Sequence, residues 1–326
     1  MRLTRRGLGA ALLSLPLLPE ARAAAPGWRP SRPLRFVVPF PAGGATDVVA
    51  RVLAEHMSAS LGQPVVVENR TGSGGNIGME NVVHSAPDGH TLVMATTGTL
   101  TINPYLYSTM SFDPRRSLAP VSMTFTTDHV LIVNRALPVS TAQELVALAR
   151  SRPGSLSFGS AGSGSSTHMV AELFKLAARL DIQHVPYRGS APALNDTIAG
   201  NVQMMLDQLP SAIGQIQAGA VKVLAITGPR RSRLLPEVPT MAEISLPAAE
   251  AASWGAVMVP AGTPEPVIAT LNGALLAALG NGTVQERLAA AGADARGSTP
   301  EALTAYIASE SDKWSRVIRE GRITVN

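Results

Sequence analysis

The 326-residue chain has 27 basic and 23 acidic side chains, 4% aromatic residues and no cysteine, so disulfides, zinc–thiolate sites and thiol nucleophiles are excluded. Residues 1–25 hold four arginines (Arg2, Arg5, Arg6, Arg22) and one acid (Glu20); without them 23 basic and 22 acidic groups remain, a net charge of +1. With only three lysines and few aromatics, that balance excludes the electrostatic footprint of a nucleic-acid binder.

Arg2, Arg5 and Arg6 precede an uncharged apolar run from Leu8 to Leu18 and a small-residue stretch at residues 21–25. This is the order of a secretory signal peptide over residues 1–25, cleaved after Ala23 or Ala25. The run is shorter than the roughly 20 residues a membrane-spanning helix needs, so a soluble periplasmic protein is expected. The pair Arg5-Arg6 fits a twin-arginine leader as well as an ordinary Sec leader. With no cysteine at the cleavage site, no lipid anchor is expected.

Short β-branched runs then alternate with helical stretches, the pattern of an α/β architecture. A strand at 34–40 leads through a Gly-rich turn (Pro41 to Thr46) into a helix over 47–60. A strand at 64–67, a second Gly-rich loop at 70–75, a helix to Ser85 and a strand at 91–96 follow. The same order recurs about 115 residues later: a strand at 156–158, the Gly/Ser loop 159–166, a helix over 167–180, and a strand at 183–186. The loop at 188–190, a helix over 191–199 and a strand at 202–206 complete it. Two similar lobes are expected, with Gly-rich loops and helix N-termini along one edge of each. Residues 26–125 and 228–326 form the first lobe, and residues 126–227 the second. Chain crossings near 121–127 and 224–228 would make the hinge. Ser140 is read as the cap of a helix to Arg150, the strand 221–227 as the return to the first lobe, and residues 229–239 as a surface excursion. A strand at 253–260 and helices near 264–280, 283–291 and 299–320 close the chain.

The first strand–helix turn is the leading candidate site. A helix N-terminus offers unpaired N–H groups and partial positive charge to an anion, and Gly43 and Gly44 permit close approach. Phe40, Ala42 and Asp47 belong to the same turn. Asp47 either accepts from a ligand amine or bridging water, or caps the helix. Facing it, Ser160, Gly162, Gly164, Ser165 and His168 supply backbone donors, hydroxyls and one imidazole. Thr97 and Gly98 follow the third strand, at the carboxyl end where α/β sheets place ligands. Asp207 holds the matching place in the second lobe, as an acceptor for a ligand ammonium or as a cap, and Arg188 is a candidate clamp for a second carboxylate. Phosphate-loop, zincin and nucleophile-elbow patterns are absent, and the six histidines have no metal-ligand spacing. Neither catalysis nor a metal or cofactor is expected.

Five segments carry a resemblance: PFPAGGATD (39–47), VENRTGSGGNIG (67–78), DGHTLVM (88–94), VPYRGSAPALND (185–196) and LPEVPTMAE (235–243). Together, in this order, they resemble the Bug-type receptors, the substrate-binding proteins of tripartite tricarboxylate transporters. The resemblance implies a two-lobed type II periplasmic-binding fold with two crossovers, closing on a small carboxylate held by residues 40–47 and 159–168. The ligand would be a dicarboxylate, tricarboxylate, amino acid or aromatic acid. Membrane permease subunits are implied as partners of a monomeric receptor; the alternative is a sensing receptor that docks on a sensor kinase.

Overall fold

A computed structural model describes residues 28–324; the expected signal peptide lies outside the described residues. In chain order the first lobe begins with β1 (Leu34–Val38), α1 (Ala45–Leu61), β2 (Val65–Asn69), α2 (Asn76–Val83) and β3 (Thr91–Thr96). Two short helices, α3 (Asn103–Leu106) and α4 (Pro114–Ser117), lead to β4 (Leu118–Asn134). The second lobe holds α5 (Ala142–Ser151), β5 (Ser157–Ser160), α6 (Ser166–Ala178), β6 (Gln183–Pro186), α7 (Ser190–Ala199), β7 (Met204–Gln208), α8 (Leu209–Gln217) and β8 (Val221–Ile226). The chain returns through β9 (Ala252–Pro260) and ends with α9 (Glu265–Gly280), α10 (Gly282–Ala290), β10 (Asp294–Ala295) and α11 (Pro300–Gly321).

In the first lobe β1 pairs in parallel with β2 and β3, and β9 runs antiparallel between β3 and β4. In the second, β5 pairs in parallel with β6 and β7, while β7 and β8 flank β4 antiparallel. Each lobe thus has parallel strands whose carboxyl ends feed helix N-termini, the arrangement that places ligand sites at one edge.

The hinge differs from the expectation in both crossings. β4 is one continuous strand: Leu118 to Asp128 pair with β9, and His129 to Asn134 with the second-lobe strands. The first crossing is the peptide between Asp128 and His129. The strand 221–226 does not return to the first lobe, because it pairs with Val130–Asn134. Residues 229–251 also stay with the second lobe: Met241, Ile244, Ala249 and Ala251 are buried in one cluster with Phe158 and Phe174. The return is therefore at Ala251–Ala252, not near Gly228, and apolar burial decides it. The two crossings are tied together, since the Thr227 hydroxyl accepts from the His129 N–H at 2.8 Å and donates to the Ala251 carbonyl at 2.6 Å.

Helix α5 starts one residue later than expected. Thr141 is its cap and accepts the Glu144 N–H at 3.1 Å, while the Glu144 carboxylate accepts the Ser140 N–H. Helix α11 spans both lobes: Leu303 and Ile307 are buried in a first-lobe cluster, Trp314 and Ile318 in the second-lobe cluster. Between them the Glu310 carboxylate accepts the indole N–H groups of Trp254 and Trp314, both at 3.2 Å.

Candidate ligand-binding cleft

Between the lobes lies a narrow cleft lined from both sides. Residues 40–42, 44–46 and Thr96 line it from the first lobe. Ala161, residues 165–167, Ser190, Ala191 and Gln208 line it from the second. These residues put the first turns of α1, α6 and α7 around one volume. Gly44 caps α1 and Gly189 caps α7 without any side-chain hydrogen bond, so backbone N–H groups there remain open to an anion. Among the described residues, no charged side chain lines this space. Its polar surface consists of backbone, hydroxyls and one amide.

The first-lobe turn owes its shape to Asp47. This buried carboxylate accepts the Gly43 N–H (3.0 Å), the Arg51 Nε (2.9 Å) and the Asn69 amide (2.9 Å). The Asn69 amide also donates to the Phe40 carbonyl at 2.9 Å. Burial alone would raise the Asp47 carboxyl, but bonds from Arg51, Asn69 and Gly43 hold it below the usual carboxylate range. Asp47 is fully engaged behind the turn and does not line the cleft. The paired glycines divide their work: Gly43 has φ +85°, where L side chains are strained, while Gly44 has ordinary extended backbone and leaves room beside the ligand space.

In the second lobe, Ser165 lines the cleft and caps α6. Its hydroxyl donates to the Gly162 carbonyl at 2.6 Å and accepts the His168 N–H at 3.3 Å. Ser160 and His168 lie beneath the loop rather than in the cleft. The Ser160 hydroxyl accepts the Gly162 N–H at 3.2 Å and meets the His184 Nε2 at 2.7 Å; His168 Nδ1 accepts the Gly164 N–H at 3.2 Å. Gly162 and Gly164 both have positive φ, which the tight loop requires.

The remaining candidates are placed elsewhere. Thr97 is buried against β9, its hydroxyl accepting the Trp254 N–H at 2.9 Å. Gly98 lies against the Gly164 carbonyl, in the contact between lobes. Arg188 is exposed on the loop before α7, with no hydrogen bond or ion pair to another described residue. Asp207 is fully buried one layer below the cleft, where Oδ1 accepts the Ser190 hydroxyl and the Gln208 N–H, each at 2.9 Å. Its Oδ2 has no partner among the described residues, and burial pushes its carboxyl up to about 6. Asp207 thus orients two residues that do line the space, Ser190 and Gln208.

The expected ranges 40–47 and 159–168 include the lining residues Thr46, Ser166 and Thr167, whereas sequence reasoning missed Ser190 and Gln208 as lining residues, although one follows a Gly-containing loop and the other ends a strand. It also missed His184 and Tyr107. No cluster of three potential metal ligands occurs among the described residues.

Residues 49–323 match the family described as "Tripartite tricarboxylate transporter family receptor", TctC. The chain is 40% identical to Protein BugT of Bordetella pertussis, over 89% of this chain and 90% of that one. A structure from R. palustris described as solved with adipate is 36% identical, covering 90% of this chain and 99% of that chain with a TM-score of 0.88. The periplasmic binding protein BugD is 34% identical over the same shares with a TM-score of 0.87. MatC of Rhodopseudomonas palustris, with bound malate, is 33% identical, covering 89% of this chain and 99% of that chain, TM-score 0.85. The two-lobed fold is thus that of the periplasmic solute-binding proteins, and this chain belongs to the TctC family of Bug-type tripartite tricarboxylate transporter receptors.

Proposed function

We propose that this protein captures a small carboxylate in the periplasm, closes its lobes over it and delivers it to a tripartite tricarboxylate-type permease. One observation carries the reading: the first turns of α1, α6 and α7 converge on one space whose polar lining is hydroxyls, backbone and one amide, with no charged side chain among the described residues. Such a space holds a carboxylate through N–H groups and helix dipoles, and its neutrality lets the anion leave again when the lobes part. Residues 40–44 would grip the carboxylate from the first lobe, and Ser165, with the loop of Gly162 and Gly164, from the second. Thr46, Thr96, Ser190 and Gln208 would read the rest of the ligand. Asp47, Ser160, His168 and Asp207 would act from behind as holders of those loops. Relatives solved with adipate and malate make dicarboxylates the first class to try. The permease would recognise the closed form, which the ligand favours by binding it better than the open one.

The test is a thermal-shift and calorimetric screen of the leaderless protein against adipate, malate, citrate, acidic amino acids and aromatic acids. A ligand at a hundredfold excess over its Kd stabilises the fold by about 2.7 kcal/mol. A shift with one carboxylate class supports the reading. A flat response from protein that mass spectrometry finds free of bound small molecules overturns it.

A further inference from the structure

Beneath the second-lobe loop lies a stack of three rings. His168 and His184 are 3.9 Å apart between centroids with planes 15° apart, and Phe158 stacks on His184 at 4.8 Å. Each imidazole makes one polar contact upward: His168 Nδ1 takes the Gly164 N–H at 3.2 Å, and His184 Nε2 meets the Ser160 hydroxyl at 2.7 Å. That hydroxyl in turn accepts the Gly162 N–H at 3.2 Å. Both loop glycines with positive φ are therefore fixed through an imidazole, one directly and one through Ser160.

We infer that His168 and His184 are positioning residues of the carboxylate-binding loop: as neutral acceptors and hydroxyl partners they fix the peptides of Gly162 and Gly164, so that the loop is shaped before the ligand arrives. A polar acceptor, which phenylalanine lacks, is needed at position 168 because the Gly164 N–H is buried. His168 must then carry its proton on Nε2, which faces the Glu172 carboxylate at 3.8 Å, itself bonded to Lys175 at 2.8 Å. Burial, with the second imidazole and Lys175 nearby, holds His168 down to about 3, and burial with Lys175 holds His184 down to about 4. Both rings are thus uncharged at neutral pH and free to act in these roles. Preorganisation of this kind raises affinity by removing the cost of ordering the loop at the moment of binding.

The inference rests on the receptor reading only where it concerns affinity, so the experiment has a ligand-free arm. In that arm, ring nitrogen shifts of the wild-type protein report the His168 tautomer, and hydrogen exchange reports protection of the Gly162 and Gly164 amides. The expected result is an unprotonated Nδ1 and slow exchange. In His168→Phe the Gly164 amide should exchange at least tenfold faster, while in His168→Asn, whose Oδ1 can replace Nδ1 as acceptor, most of the protection should return. His184→Phe should free the Gly162 amide in the same way. In the binding arm, adipate and malate are the probes: His168→Phe should weaken the better of them about tenfold and His168→Asn should recover most of that loss. A protonated Nδ1 in the wild type, or a protected Gly164 amide in a folded His168→Phe, overturns the inference. Equal affinity in wild type and His168→Phe overturns its link to ligand capture. If neither probe binds the wild type, the receptor reading loses support while the tautomer and exchange results still decide the positioning role.

Discussion

The Tyr107 hydroxyl donates to the Ser163 carbonyl at 2.6 Å, tying the segment after α3 to the Gly/Ser loop of the second lobe. Burial pushes the phenol above its ordinary value. Gly74 of the first lobe lies against both partners, so the bond sits where the lobes meet and is expected to favour the closed state. Tyr107→Phe should weaken ligand binding by about three- to tenfold, the worth of one ordinary hydrogen bond. Stopped-flow dissociation should show the loss as a faster off-rate, and the melting temperature without ligand should barely move.

Glycines of the two lobes meet beside that bond. A Cβ on Gly98 would stand 2.9 Å from the Gly164 carbonyl and 3.4 Å from the Ser165 Cα. Gly98→Ala should therefore hold the lobes apart while leaving each lobe intact. Small-angle scattering with saturating ligand should find the variant failing to contract as the wild type does, with affinity reduced tenfold or more.

Gly43 and Gly44 should respond in opposite ways. A Cβ at Gly44 would meet only the Pro41 carbonyl, at 3.8 Å, so Gly44→Val should fold with a near-normal melting temperature, yet its side chain would project beside the carboxylate and abolish binding. Gly43→Ala forces a Cβ into φ +85° and should cost about 1 kcal/mol of stability by denaturant titration. A Gly44→Val variant with wild-type affinity would place the ligand elsewhere.

Asp128, at the first crossing, is pushed up to about 6 by burial, with Asp294 adding to the effect and Arg230 opposing it. A carboxyl whose folded-state pKa exceeds its unfolded value binds more protons when folded, so its contribution to stability falls as pH rises from about 4 to 6. Asp128→Asn should accordingly melt higher than the wild type at pH 7. The difference should shrink as pH falls through 6 and vanish below about pH 4.

The loops that line the cleft were legible in the sequence because their chemistry is local: glycine for positive φ, hydroxyls and a helix start fall within a few residues of one another. Roles that depend on distant partners were not. Thr97 reads as a cleft residue until Trp254, 157 positions away, takes its hydroxyl. Asp47 reads as a ligand contact until Asn69 and Arg51 occupy it. His184 carries no motif, and only the pairing of β5 with β6 brings it beside Ser160. The hinge was misplaced for the same reason. Pro120 and the polar run 126–129 interrupt the apolar pattern of β4, so the register with β9 and β7, not the composition, makes it one strand.

That strand has a consequence for how the molecule comes apart. Leu118–Asn134 is shared property of two ladders, and α11 inserts Leu303 and Ile307 into one interior and Trp314 and Ile318 into the other. Neither half corresponds to a continuous stretch of chain, and neither keeps a complete core when the other is melted. The two lobes should therefore fold as one unit: expressed separately, the halves should remain unfolded, and the intact chain should lose both in one cooperative step.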